Sequence, residues 1–268
     1  MRFRWTTRCG QALLLSVLLS VSGCDFSTLV TDDLADARSA IQEHNWPLAE
    51  RLLERYLRQE QDADKRWEAW LGLVQVVGNA GADRRAVLDY LEAMLMEYAE
   101  DESRTREILQ RMGGLNENLR RYDRAAEVWS TYIDLSNLTE EEAVQAHRRL
   151  ARIHFRAGRF DASEDVLQDC LALAGLAEGK IQCLYDLADM NMAQERWQEA
   201  SDLALQILEL NVDATAQGLA AFLLGDALEQ QKKFSEALAY FEKSRAGYPN
   251  AMVVDNRIAF LKNKLKLK

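Results

Sequence analysis

Breakers are scarce in this chain. Its 268 residues include 2 Pro and 13 Gly, and no stretch rich in Gly, Pro or Ser divides it. That excludes a loop-rich fold and flexible linkers, and it predicts one continuous body. β-branched residues are sparse, whereas the helix formers Ala, Leu, Glu, Arg and Gln dominate. Only 4 Cys and 3 His are present, and just two of the cysteines, Cys170 and Cys183, follow Cys24. There is no HExxH, no close CxxC, no glycine-rich phosphate loop and no GxSxG. No cofactor, metal or catalytic residue is therefore expected. Cations are also in short supply, with 33 Lys and Arg against 43 Asp and Glu. An acidic balance of this kind argues against nucleic acid as a partner.

The amino-terminal end differs from the rest. Arg2, Arg4 and Arg8 precede an apolar run from Ala12 to Val21. About ten apolar residues cannot span a bilayer, which needs roughly 20, but they match a secretory signal core. The run ends Leu19-Ser20-Val21-Ser22-Gly23-Cys24. This resembles the lipobox of bacterial lipoproteins. The resemblance implies a signal peptide over residues 1–23, cleavage before Cys24, lipid on its sulfur and a short tether over 24–31. It also implies a location in the bacterial envelope, facing the periplasm. Asp25 resembles a retention signal for the inner membrane, with the outer membrane as the alternative. Loss of the three arginines leaves 30 basic against 43 acidic residues.

The body is periodic. An aromatic residue, two spacers and a small residue recur as Trp46–Ala49, Tyr122–Ala125, Phe160–Ser163, Trp197–Ala200 and Phe234–Ala237. From Tyr122 onward the aromatics lie 38, 37 and 37 residues apart, and the gap after Trp46 leaves room for one irregular copy. A fixed period of this size indicates stacked supersecondary units. The clearest copy reads Ala221-x2-Leu224-Gly225-x2-Leu228, then Ala237-x3-Phe241, then Pro249. Set against W-x2-L-G-x2-Y…A-x3-F…P, it resembles the tetratricopeptide repeat, with Ala221 and Leu228 in place of aromatics. The resemblance implies an all-α, right-handed superhelical solenoid of about six helical hairpins over residues 32–249. A capping helix with a basic tail is expected over 250–268. In each unit Gly225, Ala237 and their counterparts should sit where two helices cross, and Pro249 should stop the last hairpin. Asp101, Thr139 with Glu142, Asp161 and Ser235 are expected helix starts.

The second copy is irregular. Asn79 to Asp83 makes a longer turn, Arg84 and Arg85 stand where an aromatic is due, and Trp67 to Val77 is apolar around much of its circumference. Either the N-terminal segment folds over this helix or it carries an exposed binding patch.

Cys170 and Cys183 lie almost equidistant from a turn near residues 176–177. A disulfide is possible there, and two buried free thiols are the alternative. His147 and His154 share one face of a helix and are assigned to packing. Lys262, Lys264, Lys266 and Lys268 either solvate a capping helix or meet anionic headgroups.

In the family this chain resembles, the first helix of each unit lines a concave groove. The resemblance places Gln145, Arg148, Arg152, Phe155, Gln182, Tyr185 and Asp189 there, followed by Leu219, Phe222, Asp226 and Glu229. Arg148 and Arg152 form a cationic pair that can fork onto a partner's carboxylate. Alternatively they pair with acids such as Glu141 and Asp189. The implied function is a membrane-anchored adaptor or assembly scaffold whose partner is another envelope protein or peptide. An accessory subunit of an envelope enzyme or export system, and a self-assembling structural protein, are the alternatives.

Overall fold

In the computed structural model, residues 32–81, 84–210 and 213–266 are described. Cys24, Asp25, the signal peptide and the tether lie outside them. The chain forms α1 (Asp33–Gln42), α2 (Trp46–Gln59), α3 (Ala63–Asn79), α4 (Arg84–Glu97), α5 (Glu102–Asn118), α6 (Tyr122–Ile133), α7 (Glu140–Arg156), α8 (Phe160–Leu173), α9 (Ala177–Ala193), α10 (Trp197–Glu209), α11 (Ala214–Gln230), α12 (Phe234–Ser244) and α13 (Ala251–Lys266). Sequential pairs pack as six helical hairpins stacked into a solenoid, and α13 closes the end. No helix among the described residues is long and apolar enough to cross a membrane.

Each regular hairpin turn has three residues and the same backbone device. His44, Arg120, Gly158, Glu195 and Lys232 all take positive φ, between 56° and 76°. The following N–H returns to a carbonyl five residues earlier: Asn45 to Ala40, Arg121 to Asn116, Arg159 to His154, Arg196 to Asn191 and Lys233 to Leu228, all at 2.8–2.9 Å. This is the Schellman ending of a helix. The residue that completes it is also the N-cap of the next helix. One turn therefore ends the first helix and aims the second. Arg159 and Lys233 hold the cap positions expected at Asp161 and Ser235, which lie one residue inside their helices. Asp101 caps α5, and Thr139 with Glu142 forms a capping box on α7.

Size complementarity locks the hairpins. A Cβ on Gly113 would lie 2.6 Å from the Trp129 indole, and one on Gly225 would lie 3.0 Å from the Phe241 ring. Where the first helix carries Ala instead, as at Ala151 and Ala188, the partners are the smaller Leu167 and Ala204. Burial in the repeated motif falls on the small residue. Ala49, Ala125, Ser163, Ala200 and Ala237 are almost fully buried, whereas Phe160 is 41% exposed. The aromatic covers the hairpin's edge more than its core.

The irregular second unit uses other fasteners. Arg66 forks onto Glu97 through two bonds of 2.6 Å, and the Trp70 indole N–H donates to the same carboxylate at 3.0 Å. Trp67 meets Tyr98 edge-on, and Arg104 lies over both rings. Helix α3 buries Ala69, Leu73, Val74, Val76 and Val77. The large hydrophobic residues that remain exposed lie elsewhere. Of the two alternatives the exposed patch on α3 is absent, because α2 and α4 pack on that surface, and the N-terminal residues before 32 lie outside the described ones.

Helix α12 ends at Ser244, five residues before Pro249. What turns the chain is Gly247, whose backbone lies so close to Ala214 and Gly218 that neither glycine could carry a Cβ. Cys170 on α8 and Cys183 on α9 are joined by a disulfide, with Cα atoms 5.9 Å apart. Both are fully buried, and the bond ties the fourth unit to the fifth.

Candidate functional site

The first helices of neighbouring units run side by side, with α7 against α9 and α9 against α11. A period of 37–38 residues brings equivalent positions next to one another. Gln145 therefore donates to Gln182 at 2.8 Å, and Arg148 donates to the same Gln182 oxygen at 2.9 Å. Arg148 also forks onto Asp186, with bonds of 2.5 and 3.2 Å. Arg152 stands 3.9 Å from that carboxylate and stays half exposed. The acid that receives both arginines is thus Asp186, not Glu141 or Asp189. It lies one residue beyond the groove position assigned to Tyr185. The separation of 38 between Arg148 and Asp186, one more than this unit's period, is the signal that could have found it.

This pairing changes the electrostatics. Arg148 is consumed in holding α7 to α9, so the expected cationic pair is not a free fork. Arg148, Arg152, Asp186 and Asp189 surround a cleft of about 70 Å³ floored by Ala151, Phe155, Leu167 and Met190. Its four charges balance. Asp189 opens to solvent at the cleft mouth. Its carboxyl is nevertheless held above the ordinary range, first by desolvation from the walls and then by Asp186, while Arg152 opposes the rise. Burial likewise raises the Tyr185 phenol, helped by Asp189. Phe155 leans on Phe160, with ring centroids 5.2 Å apart.

One unit earlier the equivalent cleft is larger. About 420 Å³ opens between α5 and α7 over Trp129 and Tyr132, with Gln110, Glu141, Gln145 and Arg149 on its walls. The cause is Gly114, which stands where the next unit has Arg152 and has nothing within 4 Å of its missing Cβ. Arg149 is engaged with Glu117 and lies over Trp129.

One unit later part of the surface is already occupied. Tyr248 stacks on Phe222 at 4.2 Å. Arg257 of α13 reaches Asp226 at 2.6 Å and Glu229 at 3.4 Å. Burial raises the Asp226 carboxyl, and Arg257 counters it. Phe222, Asp226 and Glu229 are therefore covered by the chain's own end, although the repeat register placed them in the groove. The open strip runs from α5 to α9, and about 480 Å³ also stays open between the first turns of α9 and α11, where Leu219 faces Ile181 and Gln182.

The two histidines have separate roles. His147 Nδ1 lies 2.7 Å from the Ala143 carbonyl, and His154 accepts from Arg159 at 3.0 Å. Burial and the neighbouring Arg159 lower the His154 pKa. Among the described residues, no group of three or more His, Cys, Asp or Glu is placed to hold a metal ion.

Residues 117–177 and 180–250 match the tetratricopeptide-repeat family. Curated relatives named Lipopolysaccharide assembly protein B, from Escherichia coli strains K12 and O157:H7, are 26% identical over 142 residues. The match spans 52% of this chain and 36% of each relative, so only about a third of their length is represented. Among solved structures, BtubC (BKLC) from P. vanneervenii superposes with a TM-score of 0.53 at 18% identity, covering 80% of this chain and 88% of that one. The apo form of RapI gives 0.54 at 13% identity, covering 81% and 76%. Both likenesses concern the fold. The chain is a tetratricopeptide-repeat protein, distantly related to Lipopolysaccharide assembly protein B.

Proposed function

We propose that this protein is a lipid-anchored adaptor of the bacterial envelope that holds another envelope protein against the concave surface between α5 and α9. The observation that carries the reading is the contrast along that surface. Clefts of about 420 and 70 Å³ stay open over α5, α7 and α9, while Arg257 of α13 takes the place over Asp226 and Glu229 of α11 that corresponds to the smaller cleft. Tetratricopeptide repeats are protein-binding scaffolds, and no catalytic role is assigned to these residues. Gln145, Arg152, Phe155, Gln182, Tyr185 and Asp189 contribute polar and apolar contact, with Arg148 as the tie beneath them. The balanced charge suits an extended or helical peptide presenting an apolar side chain to the floor and polar groups to the rim. Leu19 to Cys24 supplies the anchor, and Asp25 favours the inner membrane. The distant relation to a protein named for lipopolysaccharide assembly fits an envelope assembly system.

The test is recovery of bound protein from cells producing the tagged chain. Arg152→Ala/Phe155→Ala should lose the partner without loss of helicity, because neither substitution removes the Arg148–Asp186 tie. Undiminished recovery would reject the groove. In the same preparation, Cys24→Ser should release the protein from membranes and abolish fatty-acid labelling; labelling that persists would reject the anchor.

A further inference from the structure

We propose that the C-terminal corner of the solenoid is a binding surface for the anionic headgroups of a phospholipid bilayer. From Gln230 to Lys268 the chain carries nine Lys or Arg and three Asp or Glu, against 33 and 43 in the whole sequence. The fold concentrates this charge further. Helix α12 runs antiparallel to α11, so α13 runs in the same direction as α11 and ends beside the α11–α12 turn. Lys264 records that approach, with its Nζ 4.0 Å over the ring of Phe234, the first residue of α12. Lys232 and Lys233 from the turn thereby share this end of the solenoid with Lys264 and Lys266 of α13.

Part of this charge is used internally. Lys262 pairs with Glu242 at 2.7 Å, and Lys264 lies over Phe234 and Phe260. Lys232, Lys233 and Lys266 are exposed and have no ion pair among the described residues. The negative ends of α11 and α13 explain why cations are tolerated here, but they leave three ammonium groups facing solvent. Beside them Phe260 is 51% exposed, and Met252, further along α13, is 72% exposed. Flexible ammonium groups next to an exposed aromatic ring fit a headgroup layer, where charge meets phosphate and the ring enters the acyl boundary. The surface is distinct from the concave strip and does not depend on lipid at Cys24.

The experiment is vesicle co-sedimentation of the full chain carrying Cys24→Ser. It compares phosphatidylcholine vesicles with vesicles of equal parts phosphatidylcholine and phosphatidylglycerol. The amino-terminal segment is common to every arm, so the difference between variants carries the result. Lys232→Gln/Lys233→Gln/Lys266→Gln leaves the Glu242 pair and both ring contacts intact. It should weaken partition onto the anionic vesicles at least ~10-fold, as expected for three lysines near a charged surface, with unchanged helicity. Phe260→Ser should also weaken it at constant charge. Parental partition by the triple variant, or no preference of the parent for anionic vesicles, would overturn the proposal. So would a triple variant that loses self-association while vesicle binding stays the same, which would assign the corner to a second copy of the chain.

Discussion

Two adjacent glycines of α5 illustrate how sharply the fold discriminates between neighbouring residues. Gly113 faces the Trp129 indole at a distance no Cβ can occupy, whereas Gly114 faces open space. Gly114→Ala should therefore stabilise the protein by up to about 1 kcal/mol, the helix-propensity gain. Gly113→Ala should destabilise it by about 1–3 kcal/mol, because overpacking outweighs that gain. Urea denaturation of the two variants checks the opposite signs. The Gly113 constraint was legible in the sequence, since its place in the repeat marks a helix crossing. The emptiness beside Gly114 was not, because it depends on what the neighbouring unit lacks. At the same scale, Arg66 holds the Glu97 carboxyl below its ordinary range, with the Trp70 donor adding to the effect. A depressed folded pKa contributes stability that is complete above the ordinary glutamate value and disappears as pH falls through the folded one. Melting temperature should therefore fall as pH drops below about 4.5, and Glu97→Gln should flatten part of that slope. An identical slope in the variant would remove Glu97 from the account.

At the scale of elements, the hairpin turn is the repeated unit of construction. Its positive-φ position is Gly in one unit and His, Arg, Glu or Lys in the others. Gly158→Ala should cost about 1 kcal/mol, and Glu195→Gly should gain about 0.5–1 kcal/mol, since only glycine adopts this conformation freely. Chemical denaturation measures both. The turn was visible in the sequence as the interval before each aromatic. Its backbone state was not, because four of the five residues there carry side chains that usually avoid it. That is also why Asp161 and Ser235, good caps by chemistry, lost their expected positions to Arg159 and Lys233: the Schellman bond fixes the register before any side chain caps. Pro249 was misplaced for a related reason, as the close approach of Gly247 to Gly218 redirects the chain earlier. The Cys170–Cys183 bond closes a short loop between two units. Reducing it, or Cys170→Ser/Cys183→Ser, should cost about 2–3 kcal/mol, and alkylation of both thiols in native, unreduced protein would contradict the bond.

For the whole molecule, the period specified six hairpins because the regular units repeat one turn and one size-matched crossing, and the gap after Trp46 has room for the irregular one. Equivalent positions then align along one face, which is why the groove positions implied by the family resemblance fall side by side on α7 and α9. Two features were not readable from that alignment. Asp186 enters through the packing of parallel helices, whose contacts range over separations of 34 to 38 residues. Arg257 covers Asp226 and Glu229 of the sixth unit because α13, packed on α12, extends that side chain to α11. Both corrections neutralise the candidate groove's charge, and the proposed function rests on the strip from α5 to α9. Site-resolved photocrosslinking in living cells tests that claim most directly. A photoreactive residue replaces Gln145 or Arg152 on the concave strip, or exposed Gln206 on α10 outside it. The account predicts one shared crosslinked protein from Gln145 and Arg152 and none from Gln206. Crosslinking from Gln206 alone, or equally from all three, would contradict it.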